Sequence, residues 1–335
     1  MTPRARIVPV FVPHLGCPNA CVFCDQRRIS GSPFPVGPSE VRRALEAAQR
    51  VSERAELAFY GGSFTAVPEG RQRVLLEAAQ PYRESGFLSS IRVSTRPDAV
   101  TQEKLALLRS YGVETVELGA QSMDDEVLLR SARGHRAADT AAASALVKKA
   151  GMHLILQMMT GLPASSPEKD LTTAEALAAL APEGVRIYPT VILRGTALEE
   201  LWKRGQYAAH TVRAAVETCV PIVDRFRAAG IPILRLGLNP TEELSGDEAV
   251  GGAYHPALGE LVYSARYLAL ARRAIRTLPR LPRRVELLVN RRALSLLTGQ
   301  RRSNLLALRW EFGLEELTVR CGDFPPETVA IGGYL

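Results

Sequence analysis

Short β-rich runs alternate with longer helical patterns through the first 240 residues, and this alternation constrains the fold more than any other feature. The runs are Ile7–Val12, Leu57–Tyr60, Ser90–Ser94, Val113–Leu118, His153–Met158, Val185–Ile192 and Ile231–Leu236. Between them lie stripes at helical spacing. Ser39 is a candidate N-cap, followed by Val41, Ala44, Leu45 and Ala48. Val212, Val216, Cys219, Val223 and Phe226 form another stripe, closed by Gly230. Repeated βα units mean parallel strands. Their number predicts an α/β fold, a partial or complete parallel (β/α) barrel, rather than an open sheet.

From Asn239 to Ala253 the chain turns polar and Gly-rich, which predicts a boundary. The expected division is a barrel domain over 1–240 and a small basic α+β module over 254–335. Within the module, helices are expected at Leu258–Ile275, Arg292–Leu297 and Asn304–Phe312, and strands at Val285–Val289 and Leu317–Arg320. The net charge is +7, yet the segment from Val262 to Trp310 holds twelve Arg or Lys residues against one acid, Glu286. A local excess of this size points to an anionic partner.

In parallel α/β barrels the working residues sit in loops at the C-terminal strand ends. The unusual residues of this sequence fall there. The first strand leads into Cys17-Pro-Asn-Ala-Cys21-Val-Phe-Cys24, the second into Gly61-Gly62-Ser63-Phe64-Thr65, and the third into Thr95-Arg96-Pro97-Asp98. The fourth ends at Gly119-Ala-Gln121-Ser122 and the fifth at Gln157-Met-Met-Thr-Gly161-Leu-Pro163. Three clustered cysteines among five imply a metal site in a reducing compartment rather than a disulfide framework. Three thiolates can take three irons of a cluster and leave one iron open. The alternatives are a zinc site completed by His14, or unrelated buried thiols. No apolar run is long enough to span a membrane, and the N-terminus lacks a signal-peptide pattern, so a cytoplasmic location is expected.

The cysteine spacing, with Phe23 before the last Cys, resembles the radical S-adenosylmethionine (SAM) superfamily. The resemblance implies a 4Fe–4S cluster on Cys17, Cys21 and Cys24, with S-adenosyl-L-methionine chelated to the open iron and cleaved to a 5′-deoxyadenosyl radical. It implies an electron donor such as flavodoxin or ferredoxin. It places Phe23, Gly61, Gly62, Ser63, Gln121, Arg133 and Gln157 around S-adenosylmethionine, with Arg133 on its carboxylate; an arginine fork suits that role. A tight structural turn at Gly61-Gly62 and a surface position for Arg133 are the alternatives.

Further elements resemble the Elongator catalytic-subunit family over residues 7–239. They are Thr95-Arg-Pro-Asp98, Val116-Glu-Leu-Gly-Ala-Gln-Ser122, Arg133-Gly-His135, Gly161-Leu-Pro163, and Val185-Arg-Ile-Tyr188-Pro-Thr190 through Tyr207. That family modifies wobble uridine in tRNA with a radical SAM domain and an acetyltransferase domain. The stretch after Gly237 is too short for the latter and shows no acetyl-CoA motif, and the first cysteine interval is shorter than the family's. The implied function is a radical SAM enzyme acting on RNA, with tRNA as partner. Tyr188, Arg194 and Thr196 are candidate substrate contacts. Arg283, Arg284, Arg291, Arg292, Arg301 and Arg302 are candidate nucleic-acid contacts, although solvated helix faces carry such charges too. Two other functions compete: a coproporphyrinogen-oxidase-like or haem-handling radical SAM protein, and a non-catalytic iron–sulfur or zinc module on nucleic acid. Cys219 reads as a core residue. Tyr254-His255-Pro256 is structural or an acid–base group.

Overall fold

The structure is a computed structural model that describes residues 6–12, 21–24, 36–238, 247–280 and 282–334. Seven strands form one sheet in the order β1 (Arg6–Phe11), β2 (Ala55–Tyr60), β3 (Leu88–Thr95), β4 (Val113–Gln121), β5 (His153–Thr160), β6 (Gly184–Pro189) and β8 (Ile233–Leu236). Every neighbouring pair is parallel. The sheet curls into a half-barrel with β1 and β8 at its open edges. This is the expected α/β architecture.

The strands are two-faced. Leu57 and Phe59, Ile91 and Val93, Val116 and Leu118, Leu154 and Leu156, and Val185 and Ile187 are all buried in the main core with the helices. Their alternates, which a period of two sends to the other face, include Glu56, Tyr60, Arg92, Glu117, Gln157, Arg186 and Tyr188. The concave face is therefore polar, and its charges must find partners inside the lumen.

Three local expectations need correction. Ser39 is not the N-cap of its helix. The helix spans Pro38–Gln49 with Gly37 as cap, and Glu40 Oε2 accepts from Gly37 N at 2.8 Å. Pro38 suits the first helical position because its missing N–H is unneeded there. The run Val185–Ile192 is two strands. The chain leaves the sheet after Pro189, and β7 (Val191–Leu193) pairs antiparallel with β9 (Ala249–Gly252). β9 thus lies in the stretch expected to be a linker; its Ala-Val-Gly-Gly sequence is a poor strand former and hid it.

Beyond it, the helix Leu258–Arg276 spans two cores. Val262 is buried in the barrel core, while Tyr267, Ala271 and Ile275 belong to a second one. That second core lies under a three-stranded sheet, β11 (Glu316–Gly322), β10 (Arg284–Asn290) and β12 (Val329–Tyr334) in that order. Its other members come from the helices Leu294–Thr298 and Ser303–Phe312. β12 was not foreseen from the sequence. Cys219 is fully buried in the barrel core, and burial pushes its thiol up to about 12.

Candidate active site at the mouth of the half-barrel

Cys21 and Cys24 stand at the two ends of a tight turn, with Cys24 N donating to Cys21 O at 3.1 Å. Cys17 lies outside the described residues, as does His14. Two backbone bonds pin the turn over the strand ends. Val22 N donates to Ser131 O at 3.2 Å, and Leu198 N donates to Val22 O at 2.8 Å. Phe23 packs against the cluster of Val127, Met159 and Leu162, on which Tyr188 of β6 also rests. The cysteine loop is therefore held at the lumen's mouth.

Arg133 comes up beside it. It sits between Ala132 and Gly134, which adopt φ of 52° and 71°. These left-handed residues bend the turn after the helix Asp125–Arg130 so that the buried guanidinium points inward. Its Nη1 reaches Cys21 Sγ at 3.4 Å and its Nη2 donates to Gly119 O at 2.6 Å. Gly119 borders a bulge in the β4–β5 register. Past the bulge, Gln121 takes φ of 66°, rare for a residue other than glycine, and accepts from Gln157 Nε2 at 2.9 Å.

Just past the end of β2, Gly61 has φ of 91°, and a Cβ there would meet Phe11 Cδ1 at 3.2 Å. Gly62 follows it, then Ser63, whose buried hydroxyl lies 2.9 Å from Thr95 Oγ1 and accepts from Arg96 N at 3.1 Å. Ser63 thus ties two loops together from beneath. His135 Nε2 lies 3.3 Å from Ala120 O. Burial, then the charge of Arg133, push its pKa down to about 4, so the ring is neutral near pH 7.

Below this level lies a network that the sequence reading missed. Arg92 pairs with Glu56 at 2.6 Å and with Glu117 at 2.8 Å. Arg186 reaches the other side of Glu117 at 2.9 Å and Tyr60 Oη at 3.0 Å. Burial opposes the charges of Arg92 and Arg186, but the carboxylates more than offset it and raise both pKa values. Tyr60 is pushed up to about 12 by burial and by Glu117. The available signal was a single charge between apolar neighbours in each strand, as in Ile91-Arg92-Val93 and Val116-Glu117-Leu118.

Of the three candidate substrate contacts, Tyr188 stands above this network, next to Arg186. Arg194 and Thr196 are engaged in local structure. Arg194 Nη2 donates to Asp247 O at 2.8 Å. Thr196 caps the helix Ala197–Lys203 and donates to Leu193 O at 2.7 Å.

The same fold and residue pattern recur among known proteins. The radical SAM superfamily model matches residues 11–177, and the radical SAM C-terminal domain model matches residues 182–268. The chain belongs to the radical SAM superfamily. Its curated relatives include tRNA uridine(34) acetyltransferases. That of Dehalococcoides mccartyi is 28% identical over 240 residues, covering 61% of this chain and 52% of the relative. That of Methanocaldococcus infernus is 26% identical over 300 residues, covering 77% and 55%. The chain thus spans about half the length of the curated relatives it matches. Among solved structures, the archaeal Elp3 of Methanocaldococcus infernus with an N-terminal deletion superposes with a TM-score of 0.62 at 24% identity, covering 78% of this chain and 62% of that one. That likeness concerns the fold.

Radical SAM proteins are enzymes that use a 4Fe–4S cluster and S-adenosylmethionine. The residues described here fit both. Two partly exposed thiols share a turn, an arginine fork lies beside one of them, and a glycine with positive φ follows β2. No helix of the described residues is long and apolar enough to cross a membrane.

The basic segment is less unpaired than its sequence implied. Glu311, Glu315 and Glu316 lie just past the counted window. Glu311 pairs with Arg272 at 2.6 Å and with Arg276 at 3.0 Å. Arg283 faces Glu315 and Arg284 faces Glu316, each at 3.5 Å. Arg291, Arg292, Arg301 and Arg302 form no ion pair among the described residues.

Proposed function

We propose that this radical SAM enzyme modifies RNA, specifically a tRNA. Cys17, Cys21 and Cys24 hold the cluster. Phe23, Gly61, Gly62, Ser63, Gln121, Arg133 and Gln157 surround S-adenosylmethionine, and Tyr188 faces the substrate. When bound, the cluster supplies an electron and S-adenosylmethionine supplies the radical that draws hydrogen from the substrate. The observation that carries the cofactor reading is the position of Arg133. It is buried and lies 3.4 Å from Cys21 Sγ. A cation there neutralises thiolates and can take a carboxylate through its fork. Gly61, at φ of 91° and packed on Phe11, has no side chain to keep a ligand's amino group from its backbone. The buried charges of Glu117, Arg92 and Arg186 hold the lumen floor rigid and confine the substrate's reactive atom to the level of Tyr188. The RNA reading rests on relatives named as tRNA uridine(34) acetyltransferases over the shared region, with residues 254–335 as the RNA-facing module. It extends to radical chemistry on RNA and not to acetyl transfer.

Anaerobically purified protein should hold about four irons per chain and release 5′-deoxyadenosine when reduced with S-adenosylmethionine. Arg133→Ala should weaken S-adenosylmethionine binding by about 1.5–3 kcal/mol, the worth of a charge-assisted hydrogen bond. tRNA from cells with and without the gene should differ at one modified nucleoside. Zinc in a colourless anaerobic preparation would sink the cofactor reading. Identical tRNA nucleoside profiles, with an altered porphyrin pool, would sink the RNA reading alone.

A further inference from the structure

The helix Ser303–Phe312 buries Asn304, Leu305 and Leu308 against the second core. Its opposite side is apolar as well. Leu306 is 59% exposed and Trp310 is 88% exposed, the most exposed of the large hydrophobic side chains described. They lie four residues apart, so they are neighbours on one face, and Arg302, in the left-handed conformation, is the residue just before the helix. A tryptophan set almost wholly in solvent gains nothing for the fold, and a scattered aliphatic would not call for explanation as it does.

The same module carries two pairs of cations. Arg301 and Arg302 precede the helix, and Arg291 and Arg292 form the turn after β10; the two pairs bracket the short helix Leu294–Thr298. None of the four is ion-paired among the described residues. The turn holding Arg301 and Arg302 is fixed from behind, where Asn304 Nδ2 donates to Ser264 O at 3.0 Å and to Leu296 O at 3.1 Å. Asp323 shares the cleft beside Arg291 and Arg292 without pairing to them. The module therefore offers one exposed aromatic plane and, before the other end of the same helix, roughly 12 Å away along its axis, unneutralised guanidinium groups on a fixed backbone.

We infer that this face binds an unpaired stretch of RNA, with a base stacked on Trp310 and the flanking phosphates met by Arg291, Arg292, Arg301 and Arg302. The inference rests on the RNA reading above and adds the strand state of what is bound. Stacking needs a base free of its partner, whereas phosphate contacts alone do not distinguish single strand from duplex. An acidic protein would satisfy the arginines but would leave the indole without a role.

The test uses the full chain with Trp202→Phe, which leaves Trp310 as the single tryptophan. Titration with a uridine 12-mer should quench its emission, and an RNA duplex of equal charge should quench it less. Trp310→Ala should weaken binding of the 12-mer about tenfold, within the range that alanine substitution gives for one stacked base, and Trp310→Phe should recover most of it. Reversing the four arginines to Glu should weaken both RNAs and flatten the salt dependence. Unchanged 12-mer affinity in Trp310→Ala, or equal quenching by duplex, would overturn the inference. Competition by poly-glutamate as strong as by RNA would overturn it in favour of an acidic protein. If Trp310→Ala is silent while tRNA still binds, the RNA reading stands without this face. If no RNA binds the wild type above an equally basic control protein, the RNA reading falls with it.

Discussion

The half-barrel lumen and the outer face of the C-terminal module are both rich in arginine, and they use it in opposite ways. In the lumen, Arg92 and Arg186 are clamped by Glu56 and Glu117, and Glu117 is only 4% exposed. On the module, which also carries an exposed tryptophan, Arg291, Arg292, Arg301 and Arg302 are without ion pairs among the described residues. A buried guanidinium must be paired or the fold loses several kcal/mol. An exposed one costs almost nothing, so it remains available to a ligand. Pairing, more than number, separates the arginines of the lumen from those of the module.

The largest expected effect tests that contrast directly. In Glu117→Ala, Arg92 keeps Glu56, but Arg186 loses its carboxylate and is left with the neutral side chains of Tyr60 and Tyr188. Losing one partner of a buried pair should cost about 3–5 kcal/mol in denaturant unfolding. Adding Arg186→Met should return part of it, because the stranded charge goes too. Changing Arg291, Arg292, Arg301 and Arg302 together to Gln should shift stability by less than about 1 kcal/mol. A Glu117→Ala protein as stable as wild type would erase the distinction between the two regions.

A smaller effect concerns two buried titratable groups on the barrel side. Asp170 lies beneath the β5 loop, where its carboxylate accepts from Gly161 N at 2.9 Å and from Ser165 Oγ at 2.5 Å. Burial raises its pKa from 3.8 to about 6 despite those bonds. The folded state then holds the proton longer than the unfolded one. Its stabilising share is complete below the unfolded pKa and is lost as pH rises through about 6. His135 is the reverse case. Its pKa is depressed to about 4 from 6.5, so its share is complete above 6.5 and is lost as pH falls through about 4. Between those limits the two slopes oppose. Asp170→Asn should therefore make stability rise with pH more steeply than in wild type across pH 4 to 6, by up to about 1.4 kcal/mol per pH unit, one proton's worth. His135→Asn should tilt it the other way. Parallel pH curves for wild type and both variants would remove the assigned shifts.

These regions also mark where the sequence was readable. The βα alternation located all seven barrel strands, because apolar runs of strand length between helical stripes have few other solutions. It did not reveal β7 and β9, whose pairing joins residues far apart in the chain through a Gly-rich segment. The mouth of the site was legible as a set of loops, and Cys21, Gly119, Gln121 and Arg133 do meet there. The lumen charges were visible as letters but not as partners. Arg92, Glu117 and Arg186 come from three strands, and only the register brings them together. The basic segment failed in the opposite direction. A window ending at Trp310 omits Glu311, Glu315 and Glu316, which fold back onto four of its arginines.

The smallest effect sharpens the comparison most, since stability and binding should move in opposite directions. Arg301 and Arg302 adopt φ of 51° and 63°, with one residue between them and Gly299 at 75°. A left-handed residue other than Gly, Asn or Asp costs roughly 1–2 kcal/mol. Glycine removes that strain but adds freedom to the unfolded chain, worth roughly 0.5–1 kcal/mol. Arg301→Gly should therefore be neutral or more stable by up to about 1 kcal/mol. The same variant should bind RNA more weakly and lose about one unit from the salt slope, since one phosphate contact is gone. In the lumen no arginine-to-glycine change can behave this way, because there the guanidinium answers a buried carboxylate. If Arg301→Gly destabilises the protein by more than about 1 kcal/mol, well outside the range of a surface change, the turn is held by its side chain for the fold's sake. The module's unpaired arginines would then lose their standing as a reserved binding surface.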